Sequence, residues 1–417
     1  MISWFDFGPV HYRRWRQIQM VWSLSVCALL AVTWRLWIFQ DVFPQVPAMG
    51  GLSSWPATVH WLAFGLLVLS SLAVLAIRHP NAYQRLFLLM FLLAALLATG
   101  LDQHRLQPWF YQSMLFALAM ICFSPARALP LLRALLVSIY LFSALGKFDY
   151  QFLHTVGPQF VGAGCNLVGI STEDWPVLLP VLLSVLFPVV EFAGGVGLLI
   201  KRFRRATIIV LITMHLGLLL ILGPLGLNHQ PAVLLWNVSF IFQVLLLFGR
   251  ERADDKSATT ADNHDSKRLL QPSYLFVALL LLPLLEPLGC FDHWLSWGLY
   301  SPRNSRVTLE IYQSPGKRLP AAMEPYVRPS RFREGMVELR MDLWSLEGLG
   351  VPIYPQARFQ LGVAAAVIEE AKVQAFVITR QSMSERFSGE RQQQEFKNRD
   401  QLKKELGKFW INAHPRQ

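Results

Sequence analysis

The chain has 417 residues, 53% of them hydrophobic and only 16% charged, whereas soluble domains carry about 25% charged residues; an ordinary soluble fold is excluded. The formal net charge is +11. The basic residues lie in short connections and in the C-terminal tail, so membrane topology and anionic lipid account for them and no nucleic-acid partner is called for.

Residues 1–17 carry Arg13, Arg14 and Arg16 and read as a cytoplasmic N-terminus. Nine apolar segments follow, at about 18–39, 57–77, 84–102, 108–124, 129–147, 176–200, 206–227, 230–249 and 270–290. Their length suits about 30 Å of hydrocarbon, which predicts transmembrane helices. The first lacks a small-x-small cleavage site and reads as a retained span. Residues 18–250 thus form a predicted bundle, 251–269 a flexible polar loop, and 270–290 a last span. From 291 to 417 the composition changes to that of a small extramembrane α+β domain. There "RVTLEIY" (306–312) alternates like a strand, 355–371 reads as a helix, 373–380 as a strand and 399–410 as a charged helix. The predicted fold class is an all-α polytopic membrane bundle of about nine transmembrane helices with a small α+β C-terminal domain.

Arginines and lysines alternate between connections. Arg78 and Arg85, Arg127 and Arg133, "KRFRR" (201–205) and the 249–268 loop are basic, while 40–56 and "GPLGLNHQ" contain none. The positive-inside rule puts the N-terminus in the cytoplasm and the C-terminal domain in a periplasm or lumen, as for a bacterial inner-membrane protein. Cys27 and Cys122 fall within spans and read as packing residues. Cys165 and Cys290 fall on the outer side, where a disulfide is permitted, although spacing alone does not pair them.

Ionisable groups in spans are costly and mark candidate sites. Tyr140, Ser143 and Lys147 share one helical face and make a polar stripe ending in a lysine. Two readings are open: a lysine snorkelling to the headgroups, or a desolvated base. Glu191, His215 and Asn237 lie at similar depth in three successive spans, either as polar glue or as a proton relay or the floor of a polar cavity. "EFAGGVG" beside Glu191 supplies small residues for close helix approach. Asp102, His104, Arg105, Asp149, His154, Asn228, His229, Glu286 and Asp292 read mostly as solvated loop residues, with Glu286 a candidate counter-ion for Lys147. The outer histidines lack metal-ligand spacing, so no metal is predicted.

"YLFSALGKFDYQFL" and "VEFAGGVGLLIKRFRRATIIVLITMHLGLLLILG" resemble the HTTM (horizontally transferred transmembrane) family, which includes the vitamin K-dependent γ-carboxylase; the resemblance spans about 60–250. It implies a helical bundle with a lumen-facing site and a quinone-linked reaction. It also implies that Lys147 is the base that deprotonates a vitamin K-like hydroquinone, with Asp149, Glu191, His215 and Asn237 in support. The chain departs from the carboxylase in a much shorter C-terminal region, which leaves carboxylation unsupported. "ALGKF" with the following glycine-rich span is also similar to the DoxX/MauE group. That likeness implies a non-enzymatic redox-partner or scaffold subunit whose C-terminal domain binds an external protein. A transporter ranks third, because no internal repeat stands out.

Overall fold

The computed structural model describes residues 9–77, 82–249, 270–312 and 319–416. Arg78 and the polar loop 251–269 therefore lie outside the described residues. The helices run α1 (Pro9–Val32), α2 (Trp34–Trp37), α3 (Ala57–Ala76), α4 (Ala82–Leu101), α5 (Pro108–Cys122) and α6 (Pro125–Lys147). A π turn, Phe152–Val156, leads into α7 (Gly157–Leu167), α8 (Leu178–Ser184) and α9 (Leu186–Leu199). Then come α10 (Arg204–Leu222), α11 (Pro231–Phe248) and α12 (Leu270–Leu281), the last continued by a 3-10 turn, Leu282–Leu288.

Among the described residues seven helical stretches are long and apolar enough to cross a membrane: α1 from Arg13, α3, α4, α6, α8–α9 together, α10 and α11. The predicted spans 108–124 and 270–290 fold as shorter helices. α5 has 15 residues, about 22 Å at 1.5 Å per residue. The first span also starts and stops earlier than expected, since α1 ends at Val32 and α2 is a separate single turn. Large apolar side chains point outward along these helices, among them Leu62, Leu69, Leu89, Leu93, Phe192, Val196 and Ile209, as lipid requires. The break between α8 and α9 has a local cause. Pro188 has no N–H to give the carbonyl of Ser184, four residues back.

The chain forms two compact units: Met1–Leu29, Val68–Leu92 and Pro108–Pro302 in one, and Leu30–Leu67, Leu93–Gln107 and Arg303–Gln417 in the other. The C-terminal residues thus fold with two earlier stretches that sequence alone assigned to spans and loops. Their sheet is antiparallel and five-stranded, built from β1 (Arg306–Tyr312), β2 (Val327–Pro329), β3 (Met336–Leu339), β4 (Phe376–Gln381) and β5 (Gln393–Phe396), in the order β2-β3-β1-β4-β5. Val307, Leu309 and Ile311 alternate into the core, and α14 (Ala357–Glu370) packs on β1. α13 (Met341–Leu349) and α15 (Arg399–Leu406) complete the unit. β1, β4, α14 and α15 fall where they were predicted; the short β2, β3 and β5 gave too little alternation to be seen.

In the first unit, glycines set the helix spacing. A Cβ on Gly195 would lie 2.9 Å from Leu141 Cδ2 and 3.2 Å from Tyr140 Cβ, so α9 reaches α6 only because that atom is missing. On its other side, Gly194 lies against Leu211 and Gly197 against Thr207, both on α10. "EFAGGVG" therefore wedges α9 between α6 and α10, as its small residues suggested.

Candidate functional site: a lysine–glutamate pair at a buried polar cavity

Lys147 ends α6 and stays inside the protein, only 6% exposed. Its Nζ donates to Glu191 Oε2 at 2.7 Å, to Ser143 Oγ at 2.6 Å and to the Ser143 carbonyl at 3.3 Å. Helix spacing explains the convergence. Ser143 is one turn before Lys147, and Glu191 is one turn before Gly195, on the face of α9 that lies against α6. The counter-ion of Lys147 is thus Glu191 rather than Glu286.

Seven residues before Lys147, on the same stripe, Tyr140 is fully buried. Its hydroxyl meets His215 Nε2 at 2.8 Å, and His215 Nδ1 meets Asn237 Oδ1 at 2.8 Å. Asn237 donates its own amide to the Val233 carbonyl at 2.8 Å, so its oxygen faces the histidine. The ring then carries its proton on Nδ1, and Nε2 accepts from the tyrosine. Phe240 stacks on that imidazole at 5.2 Å, which fixes its plane.

These two clusters line one cavity of about 70 Å³, together with Ser143 and an apolar wall that includes Phe152, Phe160, Met214 and Leu218. It is lined by six residues singled out in the sequence: Tyr140, Ser143, Lys147, Glu191, His215 and Asn237. Leu299 and Tyr300 close it from the irregular segment after α12. Tyr300 was not foreseen. Its ring sits 5.2 Å from Phe160 and 5.8 Å from His229. Its backbone is left-handed, at φ 57°, and its buried hydroxyl has no hydrogen-bond partner among the described residues. Nothing in the sequence marks it, because it lies in a loop more than 150 positions from Lys147.

Comparison with protein-family models, with curated proteins and with solved structures gives no match for this chain. The site therefore rests on its own chemistry. It offers a cation paired to a carboxylate, a phenol hydrogen-bonded to an imidazole, and a phenol with no hydrogen-bond partner among the described residues, all around one small cavity.

The remaining candidates lie elsewhere, and several correct the solvated-loop expectation. Asp149 is buried and structural: it accepts from Phe152 N at 2.9 Å and from Ser301 Oγ at 3.1 Å. Glu286 is buried against His293 Nδ1 at 2.9 Å, and His293 Nε2 lies 3.0 Å from the Ser301 carbonyl. Those contacts fix the segment that carries Tyr300. His154 is exposed and stacks on Tyr150 at 3.9 Å. Asn228 takes a left-handed turn conformation at φ 50°, while His229 and Asp292 are half-buried. Cys165 and Cys290 are free thiols, the first half-buried on α7 and the second exposed beyond the 3-10 turn; neither pairs. Cys27 is half-buried, and Cys122, read as packing, is exposed at the end of α5.

Sequence reasoning also passed over uncharged polar residues in spans. Trp236 Nε1 donates to Gln112 Oε1 at 2.7 Å, Gln112 to Gln243 at 2.8 Å, and Gln243 to Ser239 Oγ at 2.9 Å. A glutamine within an apolar run was the available signal.

Asp102, His104 and Arg105, expected in solvent, are buried in the second unit. Arg105 donates to the Leu36, Ile38 and Ala98 carbonyls at 2.9–3.3 Å and meets His60 Nδ1 at 2.8 Å. Burial pushes the Asp102 carboxyl up to about 6, against the opposing pull of Arg105 and two backbone N–H groups. Burial pushes His104 down to about 4. The raised carboxyl costs stability as pH rises from about 4 to 6; the depressed imidazole costs it as pH falls from about 6.5 to 4. The two slopes oppose each other in one window. Asp102→Asn is expected to unmask the histidine, so that stability drops by up to roughly 3 kcal/mol on acidification through that window. Denaturant unfolding of variant and wild type at several pH values checks this. Superimposable pH profiles would contradict it.

Proposed function

We propose that this chain is a membrane-embedded, quinone-linked enzyme of the HTTM and carboxylase-like class, in which Lys147 takes a proton from a hydroquinone. The observation that carries the reading is the burial of Lys147 against Glu191 at a small, mostly apolar cavity, 2.7 Å apart, instead of exposure to headgroups. The pair supplies a balanced route for the proton. The ammonium passes its proton to Glu191, and the freed amine takes the hydroquinone O–H proton. The lysine is again a cation, now paired with the hydroquinone anion. One buried ion pair replaces another, so no net charge is created in a medium where that would be costly. The Tyr300 hydroxyl, without a partner among the described residues, is a further donor for the ring oxygens, and Tyr140, whose proton goes to His215, offers its oxygen as an acceptor for a hydroquinone O–H. An aromatic ring needs more than about 70 Å³; a cavity that takes benzene is about 150 Å³. Leu299, in the irregular part of the wall, is the side chain that gives way to admit the ring, while Ser301 beside Tyr300 stays held by Asp149 and His293.

The same reading takes nine crossings, a cytoplasmic N-terminus and an inner-membrane location. Its support is a set of arginines that cap helix C-termini. Arg14 donates to the Leu246 and Leu247 carbonyls at 2.7 and 2.6 Å, and Arg133 donates to the Leu247 carbonyl at 2.7 Å. Arg16 holds the Val74 and Leu75 carbonyls, and Arg204 the Leu198 carbonyl. The starts of α1 and α6 and the ends of α3 and α11 therefore share one level. Gln19 and Gln84 bond reciprocally at 2.9 and 3.0 Å, which adds the start of α4 to that level. α5 must then carry the chain back between α4 and α6. Cations at helix C-termini also meet the negative end of the dipole.

A second reading, the DoxX/MauE-like scaffold, draws on the mutual satisfaction of the Lys147–Glu191 and Tyr140–His215–Asn237 groups, as helix glue requires. Solvent extraction of freshly purified protein separates the two. A quinone in near-stoichiometric amount is expected from the wild type and not from Lys147→Met/Glu191→Leu. Quinone-free wild type that also fails to take up added quinone favours the scaffold.

A further inference from the structure

Within the second unit, residues 410–416 run beside the ends of two spans. Asn412 N donates to the Ala48 carbonyl at 3.1 Å, and Arg416 N to the Gln45 carbonyl at 2.8 Å. Gln103, just past the end of α4, donates its amide to the Asn412 carbonyl at 2.6 Å, and Ala48 N donates to the Gly100 carbonyl at 2.8 Å. The Arg416 guanidinium meets the Trp55 carbonyl and His60 Nε2 at the start of α3. These bonds fix the segment at the level where α3 begins and α4 ends, and for two apolar helices of 20 residues that level is the membrane boundary. Exposed tryptophans mark the same level: Trp34 just beyond α1, Trp55 just before α3 and Trp61 in its second turn. Indole rings collect at that depth because one edge is apolar and the other donates a hydrogen bond.

Trp410 and Ile411 stand next to this tie. Trp410 is 104% exposed and Ile411 41%, a costly arrangement for two adjacent apolar side chains in water. Lys403, Lys404 and Lys408 precede them within seven residues, and all three are exposed. Their acidic neighbour Glu405 is buried and engaged with Arg380 and Lys408. From 397 to 416 six Lys and Arg stand against two acidic residues. An apolar pair flanked by lysines is the composition of a segment that lies in a headgroup layer, and the bonds to Ala48, Gln103 and Trp55 hold it at the depth of that layer.

We propose that residues 403–411 are an interfacial anchor for anionic phospholipid. Trp410 and Ile411 enter the headgroup–acyl boundary, continuing the lipid-facing surface of α3, and Lys403 and Lys404 meet the lipid phosphates. The proposal is independent of the Lys147 site.

Fluorine NMR of the full chain, labelled with fluorotryptophan and held in nanodiscs, tests it. Trp410→Phe, at a wholly exposed position, identifies the Trp410 resonance by its loss, and Trp55→Phe identifies a reference at the start of α3. In nanodiscs rich in phosphatidylglycerol, a nitroxide on the lipid headgroup is expected to broaden the Trp410 and Trp55 resonances to a similar extent. Exchange of phosphatidylglycerol for phosphatidylcholine, or Lys403→Gln/Lys404→Gln, is expected to reduce the broadening at Trp410 by at least about twofold and to leave Trp55 unchanged. A Trp410 resonance that the lipid nitroxide leaves sharp, whether the ring lies in water or against a second copy of the chain, would overturn the assignment. Broadening that is the same in both lipids and in the lysine variant would overturn the preference for anionic phospholipid.

Discussion

Lys147→Ala is expected to lower stability by about 3–5 kcal/mol, the usual consequence of leaving one member of a buried ion pair alone. Glu191 would then sit beside the cavity with Ser143 as a neutral neighbour and no cation. Removing both charges behaves differently. Lys147→Met/Glu191→Leu replaces the pair with apolar groups of similar bulk, and such replacements are often neutral or stabilising. The double variant is therefore expected to unfold at or above the wild-type midpoint and yet to retain no quinone. Thermal unfolding in detergent with quinone analysis of the same samples reads both effects. A double variant that is as unstable as Lys147→Ala would show that the charges matter to the fold in some way the 2.7 Å contact does not explain.

Gly195→Leu is expected to separate α6 from α9. The first added carbon already meets Tyr140 Cβ at 3.2 Å, and that atom cannot rotate away as Leu141 Cδ2 can. Overpacking of this kind typically costs about 1–3 kcal/mol. Here it also acts on the site, because Glu191 lies one turn from Gly195 on the same face and loses its reach to Lys147. Loss of bound quinone should thus accompany the lower unfolding midpoint. Gly217→Ala on α10, where an added Cβ meets nothing within 4 Å, is the control and should change neither. If Gly195→Leu kept wild-type stability, the close approach of α6 and α9 would not be a constraint.

How much the sequence disclosed depended on the range of the interaction. Helix existence is local, and the apolar runs located the long helices, though α5 and α12 are shorter than expected and α7 and α13 were not foreseen. The stripe of Tyr140, Ser143 and Lys147 follows from 3.6-residue periodicity within one helix. The pairing of Lys147 with Glu191 does not, because it depends on where Gly195 lets α9 sit against α6. The sequence grouped Glu191 with His215 and Asn237 and left Lys147 at a helix end; the structure joins the two through a lysine side chain reaching back along its own helix. Asp102, His104 and Arg105 misled for a related reason. A polar run between two spans suggests solvent, whereas distant segments at Leu36, Ile38, His60 and Pro352 close over it. Tyr300 carries no sequence signal at all, since its value lies in a hydroxyl that has no partner among the described residues.

The most direct test of Lys147 as a base is the absorption spectrum of a bound hydroquinone. A naphthohydroquinone added under anaerobic conditions near neutral pH is itself uncharged, and its anion absorbs at longer wavelength. Wild-type protein is expected to produce the anion band in proportion to occupied sites, and Lys147→Met/Glu191→Leu is expected to produce none. Hydroquinone that binds the wild type and keeps the spectrum of its neutral form would contradict the account.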